Sequence, residues 1–196
     1  MDNCFSQPKR PVGLYRPEFE HDSCGVGFVA NIKGLYSHSI IDDAYTVLRS
    51  MDHRGACGAD ENSGDGAGIL TALPHQFLQR VVEEEIRTRL PETGRYGAGT
   101  IFLPQLVEER ERCKQIVESI VADQGQTVIG WRVVPTCADE AGIGRTARLS
   151  EPSIEQLFIG AKSVVDRDAF ERKLYLIQKQ ASHRLRTDSA MVQANM

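Results

Sequence analysis

With 196 residues, 41% of them hydrophobic and 26% charged, the sequence has the size and composition of one soluble globular domain. A net charge of −4, with lysine and arginine scattered along the chain, argues against nucleic acid or an anionic membrane as a partner. Five cysteines, odd in number, widely spaced and without a CxxC pair, argue against a disulfide framework or a metal site and favour a reducing compartment.

No apolar run approaches the roughly 18 residues that cross a bilayer. Residues 1–23, MDNCFSQPKRPVGLYRPEFEHDS, lack the apolar stretch of a secretory signal and are acidic near their end, unlike an organelle transit peptide. A cytoplasmic chain is expected, and the leader needs another explanation. Residues 24–31, CGVGFVAN, combine small and β-favouring residues and run into the turn-like NIKG, so a buried strand is predicted. In it, Gly25 and Gly27 would let a backbone or substrate approach closely. Ser39 and Asp42 have capping-box spacing, and Ile40, Ala44, Val47, Leu48 and Met51 follow at helical intervals. A helix from about Ile40 to Asp52 is predicted, ending at the HRG of His53, Arg54 and Gly55. A loop rich in glycine and aspartate then rises into a predicted strand near Gly68–Leu73.

Pro74 suits the first residue of a second helix, with Phe77, Leu78, Val81, Val82 and Ile86 on its apolar face and Glu85 on the polar flank. After a turn-rich connector come a strand, GAGTIFL, and a helix striped with Cys113, Ile116, Val117, Ile120 and Val121. The strand TVIGWRVV follows, with Val128, Gly130 and Arg132 expected on one side and Ile129, Trp131 and Val133 on the other. The strand IEQLFIG precedes a last helix striped with Phe170, Leu174, Ile177, Ala181 and Leu185. Strand–helix–strand–strand–helix over about 97–186 resembles an α+β, ferredoxin-like module inserted into a larger fold.

Cys24 is the residue whose chemistry matters most. A free thiol, with a pKa of about 8.5, is mostly protonated at neutral pH, whereas the attacking species is the thiolate. If the leader is removed, Cys24 becomes residue one and gains an α-amine of pKa about 7.7–8.0, able to take the thiol proton and return it to a leaving group. While the leader remains, that nitrogen is a non-basic amide. From composition alone the same cysteine also reads as a small buried hydrophobe. Arg54, a permanent cation with five donors, would favour a nearby thiolate; the alternative is that it satisfies carbonyls at the end of its helix. His53 is read as structural. The glycine-rich stretch around Asp65 lacks the lysine of a phosphate loop and reads as a tight turn.

The blocks CGVGFVANIKG, MDHRGACGADENSGDGAGI, FIG and FERKLYLIQKQ together resemble the amino-terminal part of the large subunit of glutamate synthases. That part is a class II glutamine amidotransferase domain of the Ntn-hydrolase fold. The resemblance covers roughly Leu14 to Arg186. It implies an α+β αββα sandwich, incomplete here, with residues 1–23 as propeptide and 24–196 as a partial amidotransferase domain. It implies Cys24 as nucleophile, with Arg54, Gly55 and Gly25 in support and glutamine as substrate. It further implies ammonia passed to a synthase domain that carries FMN and an iron–sulfur cluster, with neither cofactor in this chain. The expected partners are the remainder of the large subunit and a small subunit.

Two alternatives stay open at the level of sequence: another Ntn amidohydrolase, such as a bile-salt or penicillin-amide hydrolase, and a non-catalytic fragment that binds a completing partner. The family's HRFSTNT-like and HNGE-like blocks, which bring the substrate-gripping arginine and oxyanion donors, have no counterpart in this sequence. HRLRTDS at 183–189 sits on a charged helix end and is rejected as one of them. The substrate-binding residues are therefore unassigned. The chain alone is expected to turn over little glutamine and to be poorly soluble.

Overall fold

A computed structural model describes residues 25–52, 55, 64, 66–162 and 166–187. The chain divides into two compact units, Met1–Ala72 with Cys137–Ser150, and Leu73–Thr136 with Glu151–Met196.

In the first unit, helix α1 spans Ser39–Ser50, close to the predicted limits. Its half-buried side chains are Ile40, Ala44, Val47 and Leu48, as the spacing predicts, together with Ile41, which the stripe did not include. Its start differs from the expectation. His38 is the N-cap and makes no side-chain cap bond, so Ser39 already lies inside the first turn. The capping oxygen comes from one residue earlier still: Ser37 Oγ accepts from the Ser39 N–H at 3.2 Å. Thr46 and Ser50 hydroxyls donate back to the carbonyls of Asp42 and Thr46, at 2.9 Å each.

The NIKG turn forms as expected. Gly34, at φ +67°, donates its N–H to the Asn31 carbonyl at 3.0 Å, while Asn31 Oδ1 accepts from the backbone of Lys33 and Leu35. The strand predicted before it does not form over the described part, 25–31, nor does the one predicted at 68–73. Val26 and Phe28 are 91% and 92% exposed, and Leu70 is fully so. β-favouring composition supplies a side-chain preference, but a strand exists only when a neighbour takes its N–H and C=O groups. Among the described residues neither segment lies in a sheet. The unit also holds a short helix, α4, Arg145–Leu149.

The second unit is built on three strands: β1, Tyr96–Leu103, β2, Thr127–Val133, and β3, Ser153–Gly160. β3 lies in the middle, antiparallel to both neighbours, so β1 and β2 run parallel on either side of it. Helix α2, His75–Glu85, covers one face. Helices α3, Val107–Asp123, and α5, Arg167–Thr187, cover the other. Pro74 is the N-cap of α2 rather than its first helical residue. Glu108 and Glu109 in the first turn of α3, and Arg184 and Arg186 in the last turn of α5, complement the helix dipoles.

Alternation along β3 divides its side chains between two cores. Phe158 joins Leu78, Val81, Val82, Leu90 and Tyr96 on the α2 face. Leu157 and Ile159 join Val117, Ile120, Val121 and Ile177 on the α3–α5 face. Phe158 and Val82 are fully buried. Burial of each such side chain contributes about 1.5–3 kcal/mol.

β2 departs from the simple alternation expected of it. Val128 pairs with Ile159 and Gly130 with Phe158, so Ile129 is an extra residue in a β-bulge. Val128 therefore packs on the α3–α5 face with Trp131, and Ile129 packs on the α2 face, where Gly130 abuts Ile86. The inserted residue resets the period of two, which is why Val128 does not share a face with Gly130.

Charged pairs hold each face. Arg132 grips both oxygens of Glu85, at 3.0 and 3.1 Å, and donates to Gln156 Oε1 at 3.3 Å. On the opposite face the buried Glu155 takes Lys114 at 2.8 Å and Arg110 at 3.6 Å. Lys114 also lies over the Trp131 ring, 5.4 Å from its centre, and Trp131 Nε1 donates to Glu118 at 2.8 Å.

Candidate active site

The catalytic chemistry expected from the sequence falls on Cys24, Gly25, Arg54 and Gly55. Cys24, His53, Arg54 and Asp65 lie outside the described residues. Gly25 is exposed and opens the irregular segment that ends at the Asn31 turn. Gly55 is exposed too, and its N–H donates to the Asp52 carbonyl at 3.0 Å, just beyond the end of α1. No backbone hydrogen bond joins Gly25 to Gly55.

Helix α1 lies between the two halves of this constellation in sequence. Its last residue, Ser50, is followed after Met51 and Asp52 by the His53–Arg54–Gly55 block. Its Val47 packs against Gly27, three positions after Cys24, and a Cβ on Gly27 would stand only 2.7 Å from Val47 Cγ1. The close approach expected at the glycines of CGVG thus occurs at Gly27, and the approaching group is a helix side chain. The helical stripe assigned Val47 to an apolar face without showing what it met.

Among the described residues, two groups in the sheet unit, Lys114 and Tyr96, have displaced equilibria. Burial pushes Lys114 down, but its hydrogen bonds to Glu155 and Glu111 outweigh this and hold its pKa above the usual lysine value. Burial pushes the Tyr96 phenol up, and His75 Nδ1 lies 3.0 Å from its hydroxyl. Both groups keep their protons at neutral pH and act as structural partners. Among the described residues, no group of three or more His, Cys, Asp or Glu is placed to hold a metal ion. No helix among them is long and apolar enough to cross a membrane.

Comparison with known proteins decides the family. Residues 24–195 match the family model described as "Glutamine amidotransferases class-II". The chain belongs to the class-II glutamine amidotransferases. The family match begins at Cys24 and takes in both α1 and the three-stranded sheet.

Similar proteins to this class-II glutamine amidotransferase domain include the glutamate synthase [NADPH] large chain of Bacillus subtilis, 42% identical over 91% of this chain and 12% of that protein. The glutamate synthase [NADH] of Saccharomyces cerevisiae is 38% identical over 87% of this chain and 8% of that protein. The ferredoxin-dependent glutamate synthase 2 of Synechocystis is 38% identical over 86% of this chain and 11% of that protein. The chain spans 8 to 12% of the length of these relatives. Like its sheet, the amidotransferase domain as described is α+β, with mixed helices and antiparallel strands.

Proposed function

We propose that this domain hydrolyses glutamine as part of a glutamate synthase, with Cys24 as nucleophile after removal of residues 1–23. The observation that carries the reading is the family match, whose first residue is the one cysteine followed by Gly-Val-Gly. The α-amine of mature Cys24 takes the thiol proton, and sulfur adds to the carboxamide carbon of glutamine. The C–N bond then breaks and ammonia leaves with the returned proton. Water attacks the thioester, the C–S bond breaks, and glutamate departs as the thiol re-forms. Arg54, a permanent cation, favours the thiolate, while Gly25 and Gly55 give the backbone around both residues room to approach substrate.

Residues 24–196 are read as part of the amidotransferase domain, with about 97–186 as an inserted ferredoxin-like module. The order β1-α3-β2-β3-α5, with β3 between two parallel strands, supports that reading. The liberated ammonia is proposed to pass to a synthase portion of the enzyme, where FMN and an iron–sulfur cluster supply the reducing chemistry. The described residues do not fit the cluster, because they offer no metal-binding group. The rest of the large subunit, and a small subunit, are the proposed partners, in the cytoplasm. The names of the relatives favour this reading over a bile-salt or penicillin-amide hydrolase.

Two measurements test it. Mass spectrometry of the native protein should find Cys24 at the amino terminus. In the native enzyme, Cys24→Ala should abolish glutamate formation from glutamine and spare formation from added ammonia, which bypasses the thioester. Glutamine turnover that survives Cys24→Ala would refute the assignment.

A further inference from the structure

Gly27 and Val47 approach more closely than any side chain at position 27 would permit. The 2.7 Å from a Cβ on Gly27 to Val47 Cγ1 lies below the 3.0 Å that real Cβ atoms essentially never breach. Val47 has little freedom to yield. It is β-branched on a helix, where one rotamer dominates, and its carbonyl is tied into the end of α1 by the Met51 N–H at 3.2 Å. A side chain at position 27 would therefore force α1 and the segment that follows Cys24 to shift relative to each other.

Cys24 precedes Gly27 by three residues in the sequence. Three extended residues reach about 10 Å at most, so a displacement at Gly27 has little chain in which to dissipate before Cys24. A nucleophile whose base is its own α-amine is unusually dependent on backbone position, because one backbone carries both the thiol and the proton acceptor. A misplacement of about 1 Å can cost about 100-fold in rate.

We propose that Val47 is a positioning residue for the Cys24 nucleophile, acting through its contact with Gly27. The proposal rests on Cys24 being the nucleophile. It assigns to α1 the task of setting the height of the CGVG backbone, with glycine at 27 required because any larger residue would push that backbone off the helix.

The test uses the native enzyme that carries this domain, with glutamate release from glutamine as the main readout. A second readout is the rate of iodoacetamide alkylation at Cys24, followed by mass spectrometry. Gly27→Ala is expected to lower kcat about tenfold or more with KM changed by less than about threefold, and to slow alkylation. Adding Val47→Ala removes the methyl group that the new Cβ would strike, and should restore kcat to within about threefold of the parent. An unchanged kcat in Gly27→Ala, or a double variant no faster than the single one, overturns the proposal. Should Gly27→Ala fold too poorly to assay, Val47→Ala alone decides. Its kcat must fall by about threefold or more at constant KM, and an unchanged kcat refutes the positioning role. Cys24→Ala, assayed in parallel, keeps the two readings apart. Glutamine hydrolysis that survives it removes the nucleophile assignment, whereas hydrolysis lost there but indifferent to Gly27 and Val47 removes only the positioning role.

Discussion

Single residues in the sheet unit carry costs that can be read from their surroundings. Phe158 is fully buried between α2 and the sheet, so Phe158→Ala should lower the unit's stability by about 3–5 kcal/mol, measured by urea unfolding. Arg87 has φ +60° immediately after the C-cap of α2, a conformation that costs an L-residue but not glycine. Arg87→Gly should therefore raise stability by about 0.5–1 kcal/mol, and an unchanged or lower unfolding midpoint would count against a strained helix end. Glu155 is buried against two cations. Glu155→Gln keeps the shape, strips Lys114 and Arg110 of their anion, and should cost about 1–3 kcal/mol by the same assay. Lys114 and Tyr96 both have raised pKa values in the fold. Their stabilisation is fully present below the unfolded values of about 10.4 and 10, and is lost as pH rises through the higher folded values. The unfolding midpoint should thus be level from pH 7 to 9 and fall above about pH 10. Glu155→Gln should flatten part of that fall, because it removes the hydrogen bond that raises Lys114.

At the scale of elements, the helices were the most legible part of the sequence. The stripes on α1, α2, α3 and α5 follow a period of 3.6 that each helix satisfies by itself, and Leu78, Val82, Val117, Val121 and Ile177 are buried accordingly. Boundaries moved by a residue or two where a cap was chosen locally, as when Ser37 supplied the oxygen expected of Ser39. Strands were legible where the described sheet pairs them. β1, β2 and β3 fall where their composition put them, but 25–31 and 68–73, equally rich in β-favouring residues, lie outside the described sheet. Pairing is non-local, and no property of CGVGFVAN names its neighbour. The bulge at Ile129 was invisible for the same reason. Val-Ile-Gly gives no sign of which residue drops out of register with β3. The proposed site rests on chemistry read from the sequence, the cysteine ahead of Gly-Val-Gly and the HRG block, of which Cys24, His53 and Arg54 lie outside the described residues. The contact between Val47 and Gly27 depends on a tertiary approach that spacing does not encode.

For the whole molecule, the two units differ in how much apolar surface they leave in contact with solvent. Within the first, Val26, Phe28, Ile32, Tyr36 and Leu70 are all more than nine-tenths exposed. Exposed large apolar side chains in this number favour association. The chain should enhance the fluorescence of a hydrophobic dye under native conditions, and Phe28→Ser combined with Leu70→Ser should reduce the signal. An unenhanced signal from the parent chain would contradict that. The sheet unit has a different vulnerability, set by the order in which its strands leave the ribosome. Among the described residues β1 and β2 are not paired with each other, and both pair with β3, the last of the three in sequence. At roughly 5–20 residues per second, the stretch from Val133 to Ser153 takes about one to four seconds to synthesise. Throughout that interval the two earlier strands have emerged with no template between them. A pause in translation within that stretch prolongs the time in which holdase chaperones can act, and the yield of folded protein should depend on codon speed there more than anywhere upstream.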